Sequence, residues 1–284
     1  MDRWSGQSNV TFPFAQVDVF SHQPLKGNPL AVVSLDQPIP EEQMQALAAW
    51  TNLSETVFLL PPQVEGADYS LRIFTPLQEL PFAGHPTIGA AAVWRARGQG
   101  SQSATIVQHC PAGLIELRVK DAGRIAFKAP DLTRSGPVEA ELAQRILHGT
   151  GLSQRDVVDL AWVDNGPGWI ALQVASVDQL YAIRPDYAAF RGKRVGVYAL
   201  SPSSDAAYHV RAFSASGFED PVTGSLHAGI AAWTQSRGLD FGPTWVGRQG
   251  HCVSRDGCVH VDRTGETIWV GGDVCPVISG TISL

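Results

Sequence analysis

Four polar side chains, placed in two distant parts of the chain, could together move a proton. Glu55 precedes an apolar run, and His85 lies in a turn rich in Pro and Gly. A second such turn, far downstream, carries Asp220 and Ser225. A carboxylate can remove a proton from carbon, and a neighbouring acid or imidazole can hold or relay that proton. A hydroxyl adds a hydrogen-bond donor for developing charge. The set predicts proton abstraction next to a carbon that bears a carboxylate.

The two turns are copies of one sequence. Residues 79–89 and 219–229 share Glu, Pro, Gly and Gly at positions 140 apart, and this register continues to Arg97 and Arg237. Upstream, the pairs Arg72/Arg211 and Phe74/Phe213 lie 139 apart, which places one inserted residue near Phe218. Such agreement predicts an internal duplication of a long unit.

Each copy must position its polar residues with the same elements. Residues 71–74 and 210–213 have the pattern of strands, and residues 88–97 and 226–237 that of helices ending in Arg-Gly. The free N–H groups of a helix start suit a carboxylate or another anion. We therefore expect backbone N–H groups around Gly84 and Gly224 to hold a substrate carboxylate, in a cleft between the two halves.

The remaining strand and helix patterns divide the chain after the first central helix and its strand meander. We expect a first half over residues 10–122 and a second half over residues 123–273, with a hinge between 120 and 135. Residues 274–284 form a candidate strand that returns to complete the first half. Residues 1–9 are predicted to be a short polar tail.

Composition narrows the class of protein. The chain has 284 residues, 44% hydrophobic and 17% charged, which is typical of a globular protein of two domains. The net charge of −6 without a basic block argues against nucleic-acid binding, and no apolar run is long enough to span a bilayer. Four cysteines without a C-x-x-C pair make zinc and a disulfide framework improbable, so we expect no metal and a cytoplasmic location. We also expect no cofactor, since the glycine-rich turns lack the P-loop and G-x-G-x-x-G patterns.

The halves differ where chemistry would need asymmetry. Glu55 falls on Arg194 or Val195 in the second half, and Leu80 corresponds to Asp220. Each polar residue also has a structural interpretation: Glu55 as an exposed strand edge, His85 or Asp220 as a helix or turn cap. The duplicated Glu79 and Glu219 favour a structural role, predicted as a bond to loop N–H groups.

Five ordered motifs give the chain a specific resemblance over about residues 14–280. They are Gly27-Asn28-Pro29, Asn52-Leu53-Ser54-Glu55-Thr56, Glu79-x-Pro81-Phe82-Ala83-Gly84-His85-Pro86-Thr87-x-Gly89, Glu219-Asp220-Pro221-x-Thr223-Gly224-Ser225 and Gln249-Gly250. The sequence resembles the PhzF-like phenazine-biosynthesis family. That resemblance implies the diaminopimelate-epimerase fold, an α+β fold of two pseudo-symmetric halves. Each half is a curved, mostly antiparallel β-sheet wrapped around a central helix.

The resemblance also implies an activity. The family's phenazine enzyme is a cofactor-independent isomerase that moves a proton within trans-2,3-dihydro-3-hydroxyanthranilate. By that resemblance Glu55 is the acid/base, and His85, Asp220 and Ser225 line the site. The residues expected to bind substrate are Asn28, Ser54, Gly84, Thr223, Gly224 and His227. Leu226 and His227 depart from the smaller apolar residues expected after the motif serine, so His227 could change the pocket.

Two other functions compete with this hypothesis. An epimerase of an amino or hydroxy acid would invert a carbon, although related epimerases place a cysteine in each half and neither duplicated turn has one. A non-catalytic protein could bind a small metabolite in the same cleft. The expected partner is a small carboxylate, with neither nucleic acid nor membrane, and the resemblance also allows a homodimer.

Overall fold

A computed structural model describes residues 10–100, 103–201 and 203–284. The polar tail predicted for residues 1–9 lies outside the described residues. The described chain forms two compact units. The first comprises the chain up to Val19, Pro29–Ile125 and Val274–Leu284; the second comprises Phe20–Asn28 and Ala126–Asp273. Residues 20–28, assigned to the first half in the sequence-based division, thus belong with the second unit.

The first unit is a β-sheet that packs against a central helix. Its helices are α1 (Glu41–Thr51) and α2 (Gly84–Ala96), and its strands are β1 (Thr11–Val19), β2 (Asn28–Ser34), β3 (Thr56–Leu60), β4 (Tyr69–Phe74), β5 (Glu79–Leu80), β6 (Thr105–Cys110), β7 (Gly113–Val119) and β18 (Val274–Ser283). Strand β1 pairs with β18 and β2, and β3 pairs with β4, which forms a hairpin with β5. The pairs β2–β3 and β4–β6 are parallel; β1–β18, β3–β4, β4–β5 and β6–β7 are antiparallel.

The second unit has the same plan around its own central helix. Its helices are α3 (Ala140–Thr150), α4 (Val177–Ala182), α5 (Tyr187–Phe190) and α6 (Gly224–Ser236), and its strands are β8 (Ile125–Lys128), β9 (Arg134–Pro137), β10 (Val157–Asp164), β11 (Trp169–Val174), β12 (Arg194–Leu200), β13 (Tyr208–Phe213), β14 (Glu219–Asp220), β15 (Thr244–Gln249), β16 (Gly257–Thr264) and β17 (Thr267–Gly272). The pairs β11–β12 and β13–β15 are parallel, in the places of β2–β3 and β4–β6. The pairs β9–β10, β10–β11, β12–β13, β13–β14, β15–β16 and β16–β17 are antiparallel.

The central helices are buried on nearly every side because their residues are small. Helix α2 contacts β1, β3, β6 and β18, and helix α6 contacts β10, β11, β16 and β17. A Cβ at Gly89 would lie 2.4 Å from Leu30 Cδ2, and a Cβ at the repeated Gly229 would lie 2.5 Å from the Val163 carbonyl oxygen. Glycine at this repeat position therefore allows the closest approach between helix and strand in both units.

The duplication is visible down to single turns. Helices α2 and α6 both have 13 residues, start 140 positions apart and are followed by Arg-Gly with a positive φ at Gly98 and Gly238. The inserted residue lies in the hairpin loop: Thr75 N–H donates to the Gln78 carbonyl, whereas Ser214 N–H donates to that of Phe218, one residue further on. Loops absorb such insertions at little cost.

Some predicted boundaries were wrong. Both central helices begin at the glycine of the turn, earlier than the pattern of apolar residues suggested. The sequence pattern also predicts a helix over residues 137–147, but the helix begins at Ala140, because residues 134–137 pair with β10 as strand β9. Short elements such as β9 and the four-residue α5 carry too few residues for a periodic signal.

Each unit ties its hairpin with the same ion pair. The Arg72 guanidinium donates two hydrogen bonds to Glu79, at 2.7 and 2.6 Å, and Arg211 donates two to Glu219, at 3.1 and 2.7 Å. The duplicated glutamates are structural, but their partner is the duplicated arginine rather than loop N–H groups. A bidentate pair of this kind fixes the orientation of the strand that leads into each turn.

Candidate active site

The candidate base of the first unit is held at the start of a fully paired strand. Helix α1 ends at Thr51 and is capped by Asn52, which adopts φ 54°, and the chain then enters β3 at Thr56. Thr56 is buried between Ala31 and Phe74, and its hydroxyl lies 2.9 Å from that of Thr51. These contacts fix the backbone one residue after Glu55.

Glu55 and His85 lie together in the structure. Glu55 Oε2 is 3.3 Å from His85 Nδ1, and the two side chains are 18% and 7% exposed. His85 belongs to the first turn of α2, whose N-cap residue, Ala83, offers no side-chain cap. A carboxylate next to an imidazole, both largely shielded from water, can pass a proton between them or hold one in common. Such a pair is suited to acid/base chemistry.

The pairing registers also decide which residue of the second unit corresponds to Glu55. Thr56 pairs with Phe74, and Val195 pairs with Phe213. Because Phe74 and Phe213 are repeat partners, Glu55 corresponds to Arg194, whose Nη1 donates to the Pro167 carbonyl at 2.6 Å. The second unit therefore has an arginine with a structural bond where the first has the candidate base.

Asp220 is held by two donors within the second unit. Asn28 Nδ2 donates to Asp220 Oδ1 at 2.9 Å and to the Val222 carbonyl at 2.8 Å. The Thr223 hydroxyl donates to Asp220 Oδ2 at 2.5 Å. Thr223 is the N-cap residue of α6, yet its side chain does not cap the helix, since its hydroxyl is directed to Asp220. Both carboxylate oxygens of Asp220 thus act as acceptors.

Gln249 connects this turn to the strand beneath it. Its Oε1 accepts from the Thr223 N–H at 2.9 Å, while its Nε2 donates to the Asp220 carbonyl at 2.8 Å and lies 3.0 Å from Thr223 Oγ1. Because the Thr223 hydroxyl donates a hydrogen bond to Asp220, the same oxygen, Oγ1, can accept a hydrogen bond from Gln249 Nε2. The partners therefore fix the orientation of the Gln249 carboxamide.

His227 is fully buried beneath that carboxamide. Its Nε2 lies 3.1 Å from Gln249 Oε1, and its Nδ1 lies 3.4 Å from the Tyr208 hydroxyl. Burial lowers the pKa of His227 to about 3, so the ring is neutral near pH 7. Oε1 is an acceptor, so Nε2 carries the proton and Nδ1 accepts from Tyr208. This position differs from the substrate contact expected for His227, because the ring is enclosed by protein.

Ser225 has a defined donor of its own. The Trp169 indole N–H donates to Ser225 Oγ at 2.9 Å, and Asn165 Nδ2 donates to the Ser225 carbonyl at 2.9 Å. Since Oγ accepts from Trp169, the hydroxyl proton of Ser225 can be directed to another acceptor. Ser225 is half-buried, as is Ser54, whereas Gly84, Thr223 and Gly224 are buried.

The structure thus brings Glu55 and His85 together in one unit, and Asn28, Asp220 and Thr223 together in the other. The sequence did not point to Trp169 or Tyr208 as supporting residues. It singled out Gln249 as part of a motif but gave no indication of its role. Gln249 had a signal, since Gln249-Gly250 is one of the five motifs. Trp169 and Tyr208 had none, because a buried aromatic residue on a strand is ordinary core. Asn28 also differs from expectation, since both N–H groups of its amide bind protein atoms.

Within residues 10–100, 103–201 and 203–284, no cluster of three or more His, Cys, Asp or Glu side chains has an arrangement that could hold a metal ion. In the same part of the chain, none of the helices has the length and apolar character that crossing a membrane requires.

Comparisons with known proteins place the chain in a family. The model of the phenazine biosynthesis-like (PhzC-PhzF) family matches residues 17–280. The chain is 32% identical to trans-2,3-dihydro-3-hydroxyanthranilate isomerase of Pseudomonas fluorescens over 94% of this chain and 98% of that protein. It is 31% identical to the protein named antisense-enhancing sequence 1 of Schizosaccharomyces pombe, over 94% and 97% of the two chains.

A solved structure shows the same fold. The crystal structure of a phenazine biosynthesis protein of Enterococcus faecalis aligns with a TM-score of 0.80 at 25% identity, covering 97% of this chain and 100% of that one. The predicted α+β fold, with its diaminopimelate-epimerase-like architecture, is confirmed.

Proposed function

Because the chain belongs to the phenazine biosynthesis-like family, we propose that it is an isomerase that moves a proton between two carbons of a small carboxylate. The relative from Pseudomonas fluorescens is named an isomerase of trans-2,3-dihydro-3-hydroxyanthranilate. That compound is the first substrate to test, since it carries a carboxylate and a C–H bond next to a double bond. The proposed reaction needs no oxidant or reductant, because substrate and product are isomers.

Glu55 is the proposed acid/base. Its carboxylate takes the proton from carbon, the electron pair of that C–H bond forms the new double bond, and the old double bond accepts the proton from Glu55 at its far carbon. One observation carries this assignment: Glu55 Oε2 lies 3.3 Å from His85 Nδ1, with both side chains largely buried. His85 would hold the Glu55 carboxylate in place and share its proton between the two steps.

Backbone N–H groups of both duplicated turns, and side chains near them, would bind and polarise the substrate. The N–H groups around Gly84 and Gly224, each in the first turn of a helix without a side-chain cap, would attract a carboxylate. Ser225, whose oxygen already accepts from Trp169, would donate its hydroxyl proton, and Ser54 would add a second hydroxyl. Asp220 would accept a hydrogen bond from a polar group of the substrate. Thr223 and Asn28 would act by holding Asp220.

Deuterium incorporation tests the proposal. Trans-2,3-dihydro-3-hydroxyanthranilate is incubated in heavy water with wild-type protein, with Glu55→Gln and with Glu116→Gln, a variant of an exposed glutamate. We expect the wild type and Glu116→Gln to form the isomer, with deuterium at one carbon in the fraction of turnovers in which the proton held by Glu55 and His85 exchanges with heavy water. Glu55→Gln should lose about 10²–10⁴-fold in rate while its melting temperature is retained.

Other outcomes separate the rival functions. Deuterium at a carbon whose configuration is inverted, with the double bond unmoved, would identify an epimerase. A full rate for Glu55→Gln would remove Glu55 as the base. Saturable binding of the compound, with neither isomer formed nor deuterium exchanged, would instead favour a protein that only binds a metabolite.

A further inference from the structure

The second unit contains a buried histidine that the proposed chemistry does not use. His227 sits in the first turn of α6, is fully enclosed, and contacts Tyr208 on one ring nitrogen and Gln249 on the other. A buried histidine without an ion-pair role is usually a packing residue. Its two ring contacts, however, begin a chain of hydrogen bonds that ends at Asp220.

The direction of each hydrogen bond in that chain is fixed by the next. Tyr208 donates to His227 Nδ1, so His227 Nε2 donates to Gln249 Oε1. Gln249 Nε2 then points at the Asp220 carbonyl and at Thr223 Oγ1. With its oxygen accepting from Gln249, Thr223 directs its hydroxyl proton to Asp220 Oδ2. Reversing the Gln249 amide would set its NH₂ group against the Thr223 N–H and the His227 Nε2–H, where donor faces donor.

We propose that His227 and Gln249 are positioning residues for Asp220, acting through a chain of directed hydrogen bonds that ends at Thr223 and keeps Asp220 Oδ2 as an acceptor. The Asn28 amide completes the arrangement from the opposite side, by its bond to Oδ1. The proposal deepens the proposed function, since it rests on Asp220 having a part in the isomerase site. It assigns a role to the histidine that departs from the family's expected small apolar residue.

The surroundings of the His227 ring favour a neutral imidazole that donates from Nε2. Tyr208 lies beside it with ring centroids 5.5 Å apart, and a Cβ at Gly247 would come within 2.5 Å of its Nδ1. The ring is therefore closely surrounded, and its hydrogen-bond partners, Tyr208 and Gln249, are uncharged. A protonated imidazole carries a proton on both nitrogens. Its Nδ1–H would then face the donating O–H of Tyr208, and the two donors would repel each other unless that hydroxyl rotated.

The matched variants are His227→Leu, His227→Gln and, as a control, Tyr69→Phe. Leucine fills much of the ring's volume but cannot donate, whereas the glutamine amide can donate to Gln249 Oε1. Tyr69 is the repeat counterpart of Tyr208, and its hydroxyl donates to Gln108 Oε1 at 3.1 Å in the first unit. Its loss removes a buried hydrogen bond of the same type without touching the chain that leads to Asp220.

Nuclear magnetic resonance on labelled full-length protein gives a readout that does not depend on activity. We expect ¹⁵N-labelled His227 to show a protonated Nε2 and a bare Nδ1 throughout pH 5 to 8. The ¹³Cγ resonance of Asp220 should move in His227→Leu, return close to its wild-type position in His227→Gln, and stay unchanged in Tyr69→Phe. A bare Nε2, or an Asp220 resonance that is identical in wild type and His227→Leu, would overturn the proposal.

Turnover of trans-2,3-dihydro-3-hydroxyanthranilate then separates this inference from the proposed function. His227→Leu should lower kcat about 10-fold with KM nearly unchanged, and His227→Gln should recover most of it. If wild type does not turn the compound over while the resonances behave as expected, the assigned substrate is wrong and the positioning role stands. If wild type is active and His227→Leu keeps its kcat, the positioning role is wrong and the isomerase assignment stands.

Discussion

Tyr69 and Tyr208 occupy the same position in the repeat, yet their hydroxyl groups serve different networks. In the first unit Tyr69 pairs with Gln108 on the neighbouring strand, and that glutamine reaches Thr87 on the central helix at 3.1 Å. In the second unit Tyr208 pairs with Gly247, and the space above the glycine is filled by His227 from the helix. The same volume is filled from the strand in one unit and from the helix in the other.

The exchange has a chemical consequence. In the first unit, Gln108 binds both Tyr69 and Thr87 and so links its strand to the central helix. His227 instead reaches Gln249, which binds the turn that carries Thr223 and Asp220. The side chain that fills this volume therefore joins a strand to a helix in the first unit, whereas in the second unit it binds the residue that holds the polar turn. The Arg–Glu pairs, the tyrosines and the central helices are shared and hold the fold, whereas the differing residues carry the candidate chemistry.

The largest expected effect concerns the position where the units differ most. Glu55 and Arg194 are repeat counterparts, one beside an imidazole and one bonded to a backbone carbonyl. Glu55→Gln should lower the isomerisation rate about 10²–10⁴-fold, whereas Arg194→Gln should leave the rate nearly unchanged and cost about 1–3 kcal/mol of stability. Rates and thermal unfolding of both variants check this. An equal loss of rate in Glu55→Gln and Arg194→Gln would contradict the assignment of Glu55 as the base and of Arg194 as a structural residue.

The shared ion pair should differ in strength between the units because its burial differs. Arg211 and Glu219 are 4% and 7% exposed, against 27% and 24% for Arg72 and Glu79. Arg211 also donates to the carbonyls of Leu180 and Ile183. Arg211→Met should cost about 3–5 kcal/mol, since it leaves Glu219 charged and buried, and Arg72→Met about 1–2 kcal/mol. Denaturant unfolding measures both; a larger loss for Arg72→Met would contradict the burial argument.

A pH dependence should distinguish His227 from its counterpart, Thr87, which cannot titrate. The pKa of histidine in an unfolded chain is about 6.5, and burial lowers that of His227 to about 3. Between these values the unfolded chain binds a proton that the folded chain does not, so stability is full above pH 6.5 and falls as the pH drops. The loss by pH 4 should be on the order of 3 kcal/mol.

The control for that dependence is His227→Gln, which cannot take up the proton. The difference in unfolding free energy between wild type and the variant, measured from pH 7 to pH 4, isolates the contribution of His227 from those of other groups. Parallel curves for the two proteins would show that His227 titrates normally and is not enclosed.

The smallest expected effect lies at Ser225, whose repeat counterpart is His85. Trp169→Phe keeps the aromatic packing but removes the indole N–H that binds Ser225 Oγ. The net value of one such hydrogen bond is about 1 kcal/mol, so we expect a loss of roughly fivefold in kcat and little change in stability. Steady-state kinetics on trans-2,3-dihydro-3-hydroxyanthranilate measure it, with Trp162→Phe, in the same unit, as the control for loss of an indole. An equal loss of kcat in Trp169→Phe and Trp162→Phe would show that the effect comes from altered packing and not from the hydrogen bond to Ser225.

The sequence by itself determined the duplication, the α+β class and the two turns. Glycine and proline recur 140 positions apart, and the Arg–Glu pair recurs with one residue inserted between its members, because each half must form the same hairpin and the same closely packed helix. Local signals also placed Glu55 at the head of a strand and His85 and Ser225 in the turns that precede the central helices. These features depend on short-range backbone chemistry, which one chain records directly.

Tertiary structure alone decided what the polar residues touch. The separation of 3.3 Å between Glu55 and His85 joins residues 30 positions apart, and the bond from Asn28 to Asp220 spans 192 positions. No periodic pattern in the sequence indicates either of these two contacts. The choice between Arg194 and Val195 as the counterpart of Glu55 needed the strand registers, and the enclosure of His227 needed Gly247 on a neighbouring strand. Such contacts follow from how strands pair and pack, and the free energy of that packing depends on many distant residues at once.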